Sequence, residues 1–234
     1  MHLVSQQIIN SGYQYVFFDV DYTVLRINSG FKFASFLYKK NILSLKDILP
    51  IPYKILQYKF GNLDYRNLVE YALSTWKKHT VSSLKNIGEE FYHSIVKNEI
   101  YKDSLQIIQD CQKNKIKTVL ITASPEEVIR PLAQDLNTQY ICTKLTHNNN
   151  YFTGKINGEL CYGSGKVKLI QQHYKDAVNY VALSDSHTDT PLLESASLSI
   201  AINPDLKLKK ISKLKKWPIY HFKELHHINT TTTT

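Results

Sequence analysis

Phe17-Phe18-Asp19-Val20-Asp21-Tyr22-Thr23, preceded by Tyr15-Val16, runs from apolar and aromatic residues straight into two aspartates one residue apart. The first half reads as a buried strand. The second half puts two carboxylates where that strand leaves its sheet, and in an open α/β sheet ligands sit at the carboxyl ends of the strands. Carboxylates placed there can bind a hard cation, attack an electrophile or move a proton. Asp is also common where strands simply end in turns, so this segment alone leaves both readings open.

Outward from it, short apolar runs alternate with helical stretches. Strands are expected at 14–18, 117–121, 139–142, 179–183 and 198–202, and helices between the later ones at 103–114, 125–135, 164–174 and 189–195. Pro125 and Pro191 suit first-turn helix positions. The alternation predicts an α/β fold with a Rossmann-like parallel sheet. Residues 30–100 break the rhythm: they hold no convincing strand and read as helices at about 30–41, 44–59, 65–78 and 81–97. Such an insertion is too long for a crossover. It is expected as a helical cap over the sheet end that carries Asp19 and Asp21, where it excludes water and selects substrates. The expected division is an α/β core of residues 1–29 and 101–225, a cap of residues 30–100 and a disordered tail of residues 226–234.

The chain has 234 residues, 43% of them hydrophobic, enough for a sizeable core and too many for a disordered chain. No apolar stretch is long enough to span a bilayer. The N-terminus lacks a cationic start followed by an apolar segment, so a Sec-type leader is not expected and the location read from sequence is cytoplasmic, with export by another route left open. Three scattered cysteines, Cys111, Cys142 and Cys161, suit neither a disulfide framework nor a zinc site. The net charge of +9 fits a lysine-rich surface. Its densest part, residues 206–216, is expected to pack on the sheet through Leu208, Ile211 and Leu214. Peripheral contact with anionic lipid ranks below that packing, and nucleic acid is not expected as a partner because no reading element is recognised.

Three further strand ends carry chemistry. Thr118-Val119-Leu120-Ile121-Thr122-Ala123-Ser124-Pro125 ends in hydroxyls before a helix start, where free N–H groups make an anion site. Thr122 is expected on the anion and Ser124 as an ordinary N-cap. Gly163-Ser164-Gly165-Lys166 offers a lysine near a helix start, without the spacing of a P-loop. Tyr180-Val181-Ala182-Leu183-Ser184-Asp185-Ser186-His187-Thr188-Asp189 again ends a buried strand in acids. Asp189 alone could favour the N-terminus of the next helix. Several carboxylates at adjacent strand ends would repel one another, and Mg²⁺, which prefers oxygen ligands and keeps several waters, removes that cost.

This ordered set resembles the haloacid dehalogenase (HAD) superfamily of phosphohydrolases, and the helical insertion after the first motif resembles its phosphoserine-phosphatase-like branch. Thr153-Gly154-Lys155, the segment from Cys161 to Lys166, and Asn203-Pro204-Asp205 through Trp217-Pro218 are similar to a less characterised bacterial group of that branch. The resemblance spans roughly residues 13–222. It implies Asp19 as the nucleophile that forms an aspartyl-phosphate, and Asp21 as the acid that protonates the leaving oxygen and then activates water. It implies Thr122, Ala123 and Lys166 on the phosphoryl oxygens. Mg²⁺ would be held by Asp19, the Asp21 carbonyl and Asp185, with Asp189 behind the metal. The substrate would be a phosphorylated small molecule or a phosphoprotein.

Phosphoserine phosphatases resemble one another in gripping the amino-acid part of their substrate with a cap Glu and Arg. By ungapped count the Glu position falls at Asn28 and the Arg position near Glu70, with Arg66 one helical turn away. Specificity for phosphoserine is therefore not expected. The cap is instead rich in aromatics (Phe31, Phe33, Phe36, Tyr38, Tyr53, Tyr58, Phe60, Tyr65 and Tyr71), most expected in its core and the rest free to meet an aryl phosphate, phosphotyrosine or a lipid phosphate. The alternatives are a phosphoserine phosphatase, a phosphotransferase using the same residues, and a non-catalytic or membrane-surface binding module, against which the presence of both Asp19 and Asp21 argues. A dehalogenase would not need Asp21 or the metal set.

Overall fold

The structure, a computed structural model, describes residues 3–226. In chain order its elements are α1 (Leu3–Asn10), β1 (Tyr15–Asp19), α2 (Ser29–Lys39), α3 (Leu45–Ile48), α4 (Ile51–Lys59), α5 (Tyr65–Leu73), α6 (Val81–Ser94), α7 (Lys102–Lys113), β2 (Lys117–Pro125) and α8 (Glu126–Asp135). There follow β3 (Gln139–Thr143), β4 (Leu145–Asn148), β5 (Tyr151–Ile156), α9 (Ser164–His173), β6 (Tyr180–Ser184), α10 (Thr190–Ser195), β7 (Leu198–Ile202), α11 (Leu206–Lys215) and β8 (Ile219–Tyr220). Short 3₁₀ turns extend α5 (Ser74–Lys78) and follow α6 (Val96–Glu99).

Six strands form one parallel sheet in the order β3-β2-β1-β6-β7-β8. β1 sits near its middle and is buried throughout, which is why its side chains are apolar on both faces. Val16 and Phe18 pack to one side with Val4, Ile8, Ile107 and Ile108 of α1 and α7. Tyr15 and Phe17 pack to the other with Leu169, Ile170, Leu192, Leu193 and Leu208 of α9, α10 and α11. Burying Phe17 and Phe18 completely stabilises the fold by about 2–3 kcal/mol each. The register sets Asp19 beside Ile121 and Phe18 beside Leu183. Thr122 and Asp185 therefore emerge within one residue of the level of Asp19 along the carboxyl edge.

The chain leaves and re-enters this edge through paired segments: Arg26 N–H bonds the Glu99 carbonyl (2.8 Å), and Tyr101 N–H bonds the Val24 carbonyl (2.9 Å). Helices α2–α6 lie between these stems. The expected helix 44–59 is two helices: Pro50 has no N–H to donate within the run, and the chain restarts with Pro52 in the first turn of α4. The expected aromatic cap core is smaller than the composition implies. Phe33 and Phe36 are buried against Phe91, whereas Phe31, Tyr38, Tyr53 and Phe60 face solvent.

Four elements were not legible as such. α1 covers α7 on one face of the sheet. β4 and β5 form an antiparallel hairpin turned at Asn149-Asn150, both in the left-handed region that Asn tolerates. β8 extends the sheet edge. In α11 Leu208 and Ser212 are the buried residues, while Leu214 is 84% exposed and takes no part in the packing expected of it. Of the expected tail only His226 is described; its N–H bonds the Ile100 carbonyl at 2.8 Å, so it is tied to the core, and residues 227–234 lie outside the described residues. Among the described residues no helix is long and apolar enough to cross a membrane.

Candidate active site

Asp19 ends β1, and its Oδ1 accepts from Lys166 Nζ at 2.6 Å. The same ammonium donates to Asp189 Oδ2 at 2.7 Å, which also accepts from Ser184 Oγ at 2.7 Å. Lys166, Asp19 and Asp189 are all buried. Burial opposes the charge on Lys166, but Asp189 and Asp19 outweigh it and push its pKa up, so it stays an ammonium. Burial pushes Asp19 up to about 7 despite the opposing pull of Lys166, with Asp189 adding repulsion. The N-terminus of α10 shows no side-chain cap from Asp189. That carboxylate holds Lys166, a more direct task than supporting a metal from behind.

Asp21 is fixed differently. Its Oδ1 accepts from Ser29 N–H at 2.9 Å, at the first turn of α2, and burial raises its carboxyl while the Ser29 bonds pull it down. A raised carboxyl suits a group that must deliver a proton near neutral pH. Ser29 Oγ bonds Ser124 Oγ at 2.7 Å, joining α2 to the end of β2. Ser124 therefore does not cap α8, where Pro125 occupies the N-cap; the Ser124 N–H instead bonds Thr122 Oγ1 at 3.1 Å. Thr122 is buried beside this turn, with Ala123 following.

Asp185 is pushed up to about 9, first by burial and then by Asp19 and Asp189, and among the described residues no ion pair reaches it. Its backbone is held by Asp205, whose N–H bonds the Asp185 carbonyl at 2.8 Å and whose carboxylate takes both the N–H (2.9 Å) and Nδ1 (2.7 Å) of His187. Asn203 Nδ2 reaches the carbonyl of Tyr22, a residue forced into the left-handed region at φ 56° just after Asp21. Among the described residues no three His, Cys, Asp or Glu side chains converge as a self-sufficient metal cage. One buried carboxylate, Asp19, one half-buried carboxylate, Asp185, and a main-chain carbonyl suit Mg²⁺ better than zinc, because Mg²⁺ takes one or two carboxylates and completes its shell with water and phosphate. The repulsion raising Asp185 is what such a cation would relieve.

Gly163 (φ 53°) starts α9, and Gly165 passes so close to the Leu160 carbonyl oxygen that a Cβ there would overlap it. Gly165→Ala is expected to displace the first turn of α9 and with it Lys166, costing about 1–3 kcal/mol as overpacking does. A lower melting temperature together with a loss of kcat checks this; an unchanged Tm would contradict it.

The cap residues divide. Asn28 caps α2 through the Phe31 N–H (2.9 Å) and borders the cavity beside Asp21. Arg66 donates to the carbonyls of Gly158 (3.0 Å) and Ile156 (3.1 Å), and Glu70 accepts from Lys155 Nζ (2.7 Å) and Ile156 N–H (3.1 Å). Both strap α5 to the β5 region rather than facing the carboxylates. Over the site lie residues that the motifs did not single out. The Tyr65 and Tyr162 rings stack with centroids 3.7 Å apart, and Tyr58 Oη bonds Tyr162 Oη at 3.1 Å. Burial and then Asp21 push Tyr65 up to about 12, a mark of its place above the acid. An aromatic immediately before Gly163 was the available signal for Tyr162.

The chain is 28% identical over 216 residues to a phosphoserine phosphatase of Mycobacterium tuberculosis, covering 88% of this chain and 70% of the relative. It is 26% identical over 216 residues to a histidinol-phosphatase of Neisseria meningitidis, covering 88% and 97%. A solved Bordetella pertussis protein of unknown function shares the fold at a TM-score of 0.81 and 23% identity, covering 88% of this chain and 98% of that one. The family model for haloacid dehalogenase-like hydrolases matches residues 16–194, well over half of the chain, from the first strand past Asp189, and the protein belongs to that family.

Proposed function

We propose that the protein is a Mg²⁺-dependent phosphomonoesterase working through an aspartyl-phosphate on Asp19. The observation that carries this reading is the buried Asp19–Lys166–Asp189 cluster with a raised Asp21 carboxyl beside it. The Asp19 carboxylate attacks phosphorus while the bond to the ester oxygen breaks, and the Asp21 carboxyl gives its proton to that oxygen. The Asp21 carboxylate then takes a proton from water as the water oxygen attacks the same phosphorus, freeing phosphate and restoring Asp19. Lys166, Thr122 and the Ala123 N–H steady the phosphoryl oxygens. Mg²⁺ would be held by Asp19, Asp185 and the Asp21 carbonyl, and it would offset the repulsion between carboxylate and phosphate dianion.

The metal requirement has a direct test. Chelation with EDTA is expected to remove activity on p-nitrophenyl phosphate and Mg²⁺ to restore it, with Ca²⁺ a poor substitute because its looser shell misplaces the nucleophile. Full turnover in excess chelator would sink the assignment.

The two relatives named above carry different substrate names at nearly equal identity, so likeness does not choose the leaving group. The cap supports an uncharged one. The cavity beside Asp21 is bordered by two carboxylates, Asp21 and Asp47, and among the described residues by no Lys, Arg or His. A zwitterion needs paired charges, and this border offers no cation for its carboxylate. L-phosphoserine is expected to have a kcat/KM at least about tenfold below phenyl phosphate, about 1.4 kcal/mol in transition-state binding. The reverse order would restore the phosphoserine reading.

A further inference from the structure

A cavity of about 260 Å³ lies between α2, α4, α5 and the start of α8, and its floor is Asp21 with the Ala123–Ser124 turn. Branched aliphatic side chains, among them Leu37, Leu43, Ile51, Ile55, Leu68 and Val69, are the largest group in its walls, and four aromatic rings join them. The charge of Asp47 at its border is already engaged by Ser44, whose N–H bonds it at 2.7 Å. An apolar space bordered by the proposed proton donor is placed to take the group attached to the ester oxygen.

The walls also choose between a ring and a chain. Three of the four rings at the cavity are engaged by other rings, since Tyr65 stacks on Tyr162 and Phe33 meets both Trp76 and Phe91 edge-on; the fourth, Phe31, is 64% exposed. α4 adds a second, independent feature. It lines the cavity with Ile51 and Ile55, while Tyr53 and Leu56 on its opposite side, with Leu49 just before it and Phe60 just after it, are 48–73% exposed. A helix apolar on both sides is unusual against water alone. A small soluble ring gives the outer side nothing to meet; an amphiphile drawn from an apolar aggregate does.

We propose that the substrate is a phosphate monoester of an alcohol bearing an apolar chain, and that the chain occupies this cavity. The proposal rests on the phosphomonoesterase reading and names its substrate class.

The test is an alkyl series (ethyl, butyl, hexyl and octyl phosphate), all below their aggregation concentrations, with benzyl phosphate as the ring control. The leaving alcohols have similar basicity, so the series isolates binding. Each buried methylene is expected to raise kcat/KM by about fourfold, the equivalent of about 0.8 kcal/mol, until the cavity is full. An octyl-to-ethyl ratio of tenfold or more, with octyl also above benzyl phosphate, supports the proposal; a smaller ratio or a better ring overturns it. Ala72→Phe, which narrows the cavity, is expected to cut that ratio at least fivefold in protein whose melting curve shows it folded. Binding is read separately. The chain has two tryptophans, Trp76 at the cavity and Trp217, so in Trp217→Phe the emission reports on Trp76 alone. Titration with the same series should shift that emission with affinity rising by chain length, and chain-independent affinity overturns the cavity assignment. Chain-dependent binding without hydrolysis of any ester would overturn the hydrolase reading and leave the cavity assigned. Hydrolysis without chain dependence would do the opposite.

Discussion

Asp19→Asn is expected to lower kcat on any phosphomonoester by on the order of 10⁴-fold or more, since an amide cannot attack phosphorus and is a poor ligand for a hard cation. The fold should not suffer. In the metal-free protein Asp19 is pushed from 3.8 to about 7, chiefly by burial. A carboxyl raised in this way is protonated in both states below its unfolded value. Above that value the unfolded chain ionises first, and stability is lost as pH rises through about 7. An amide does not titrate, so this loss disappears in the variant. Melting temperatures in EDTA should therefore fall less between about pH 4 and pH 8 for Asp19→Asn than for the unmodified chain. Activity close to that of the unmodified protein in clean Asp19→Asn would remove Asp19 as the nucleophile.

The core was legible because its strands are buried on both faces. Nothing in β1, β2 or β6 alternates, and continuous apolar runs ending in Asp or Thr can be placed at the centre of a parallel sheet and at its carboxyl edge without coordinates. The gathering of acids at neighbouring strand ends was legible for a related reason, since several buried runs end in Asp; the pairing of Lys166 with Asp19 and Asp189 was not, because the sequence shows Lys166 only as a lysine near a helix start. The hairpin β4–β5 was not legible. Its pattern is weak because one face meets the cap rather than the core: Phe152 N–H bonds the His79 carbonyl at 3.2 Å, and Gly154 sits tightly against Ser74 and Lys77. The same contact explains Arg66 and Glu70. Counting along the chain brings them near a substrate, but their partners are backbone groups of a hairpin about ninety residues away, visible only once the cap is folded onto it. Ser124 was misjudged because Ser before Pro is a good cap locally, whereas Ser29 on the first cap helix competes for its hydroxyl.

Lys166→Met should be the most damaging change to the molecule as a whole, because the ammonium serves two carboxylates at once. It donates to Asp19 at 2.6 Å and to Asp189 at 2.7 Å, and all three side chains are buried. Methionine fills the same volume without the charge, so packing is kept and electrostatics alone is changed. Removing one partner from a buried ion cluster leaves charge without compensation, a cost of about 3–5 kcal/mol, or on the order of 10 °C in Tm for a chain of this size. Loss of a donor to the phosphoryl group should in addition lower kcat by about 10²–10³-fold. The two effects can be separated. In Lys166→Met/Asp189→Asn the deeper carboxylate is gone as well, and Asn still accepts from Ser184, which now donates to Asp189 at 2.7 Å. Stability should then recover in large part while activity stays low, since neutralising Asp189 does nothing for the charge on phosphate. If the single variant melts with the unmodified protein, the cluster is solvated and Lys166 is a surface residue. If the double variant regains activity, Lys166 serves only to offset Asp189 and another group must hold the phosphoryl oxygens.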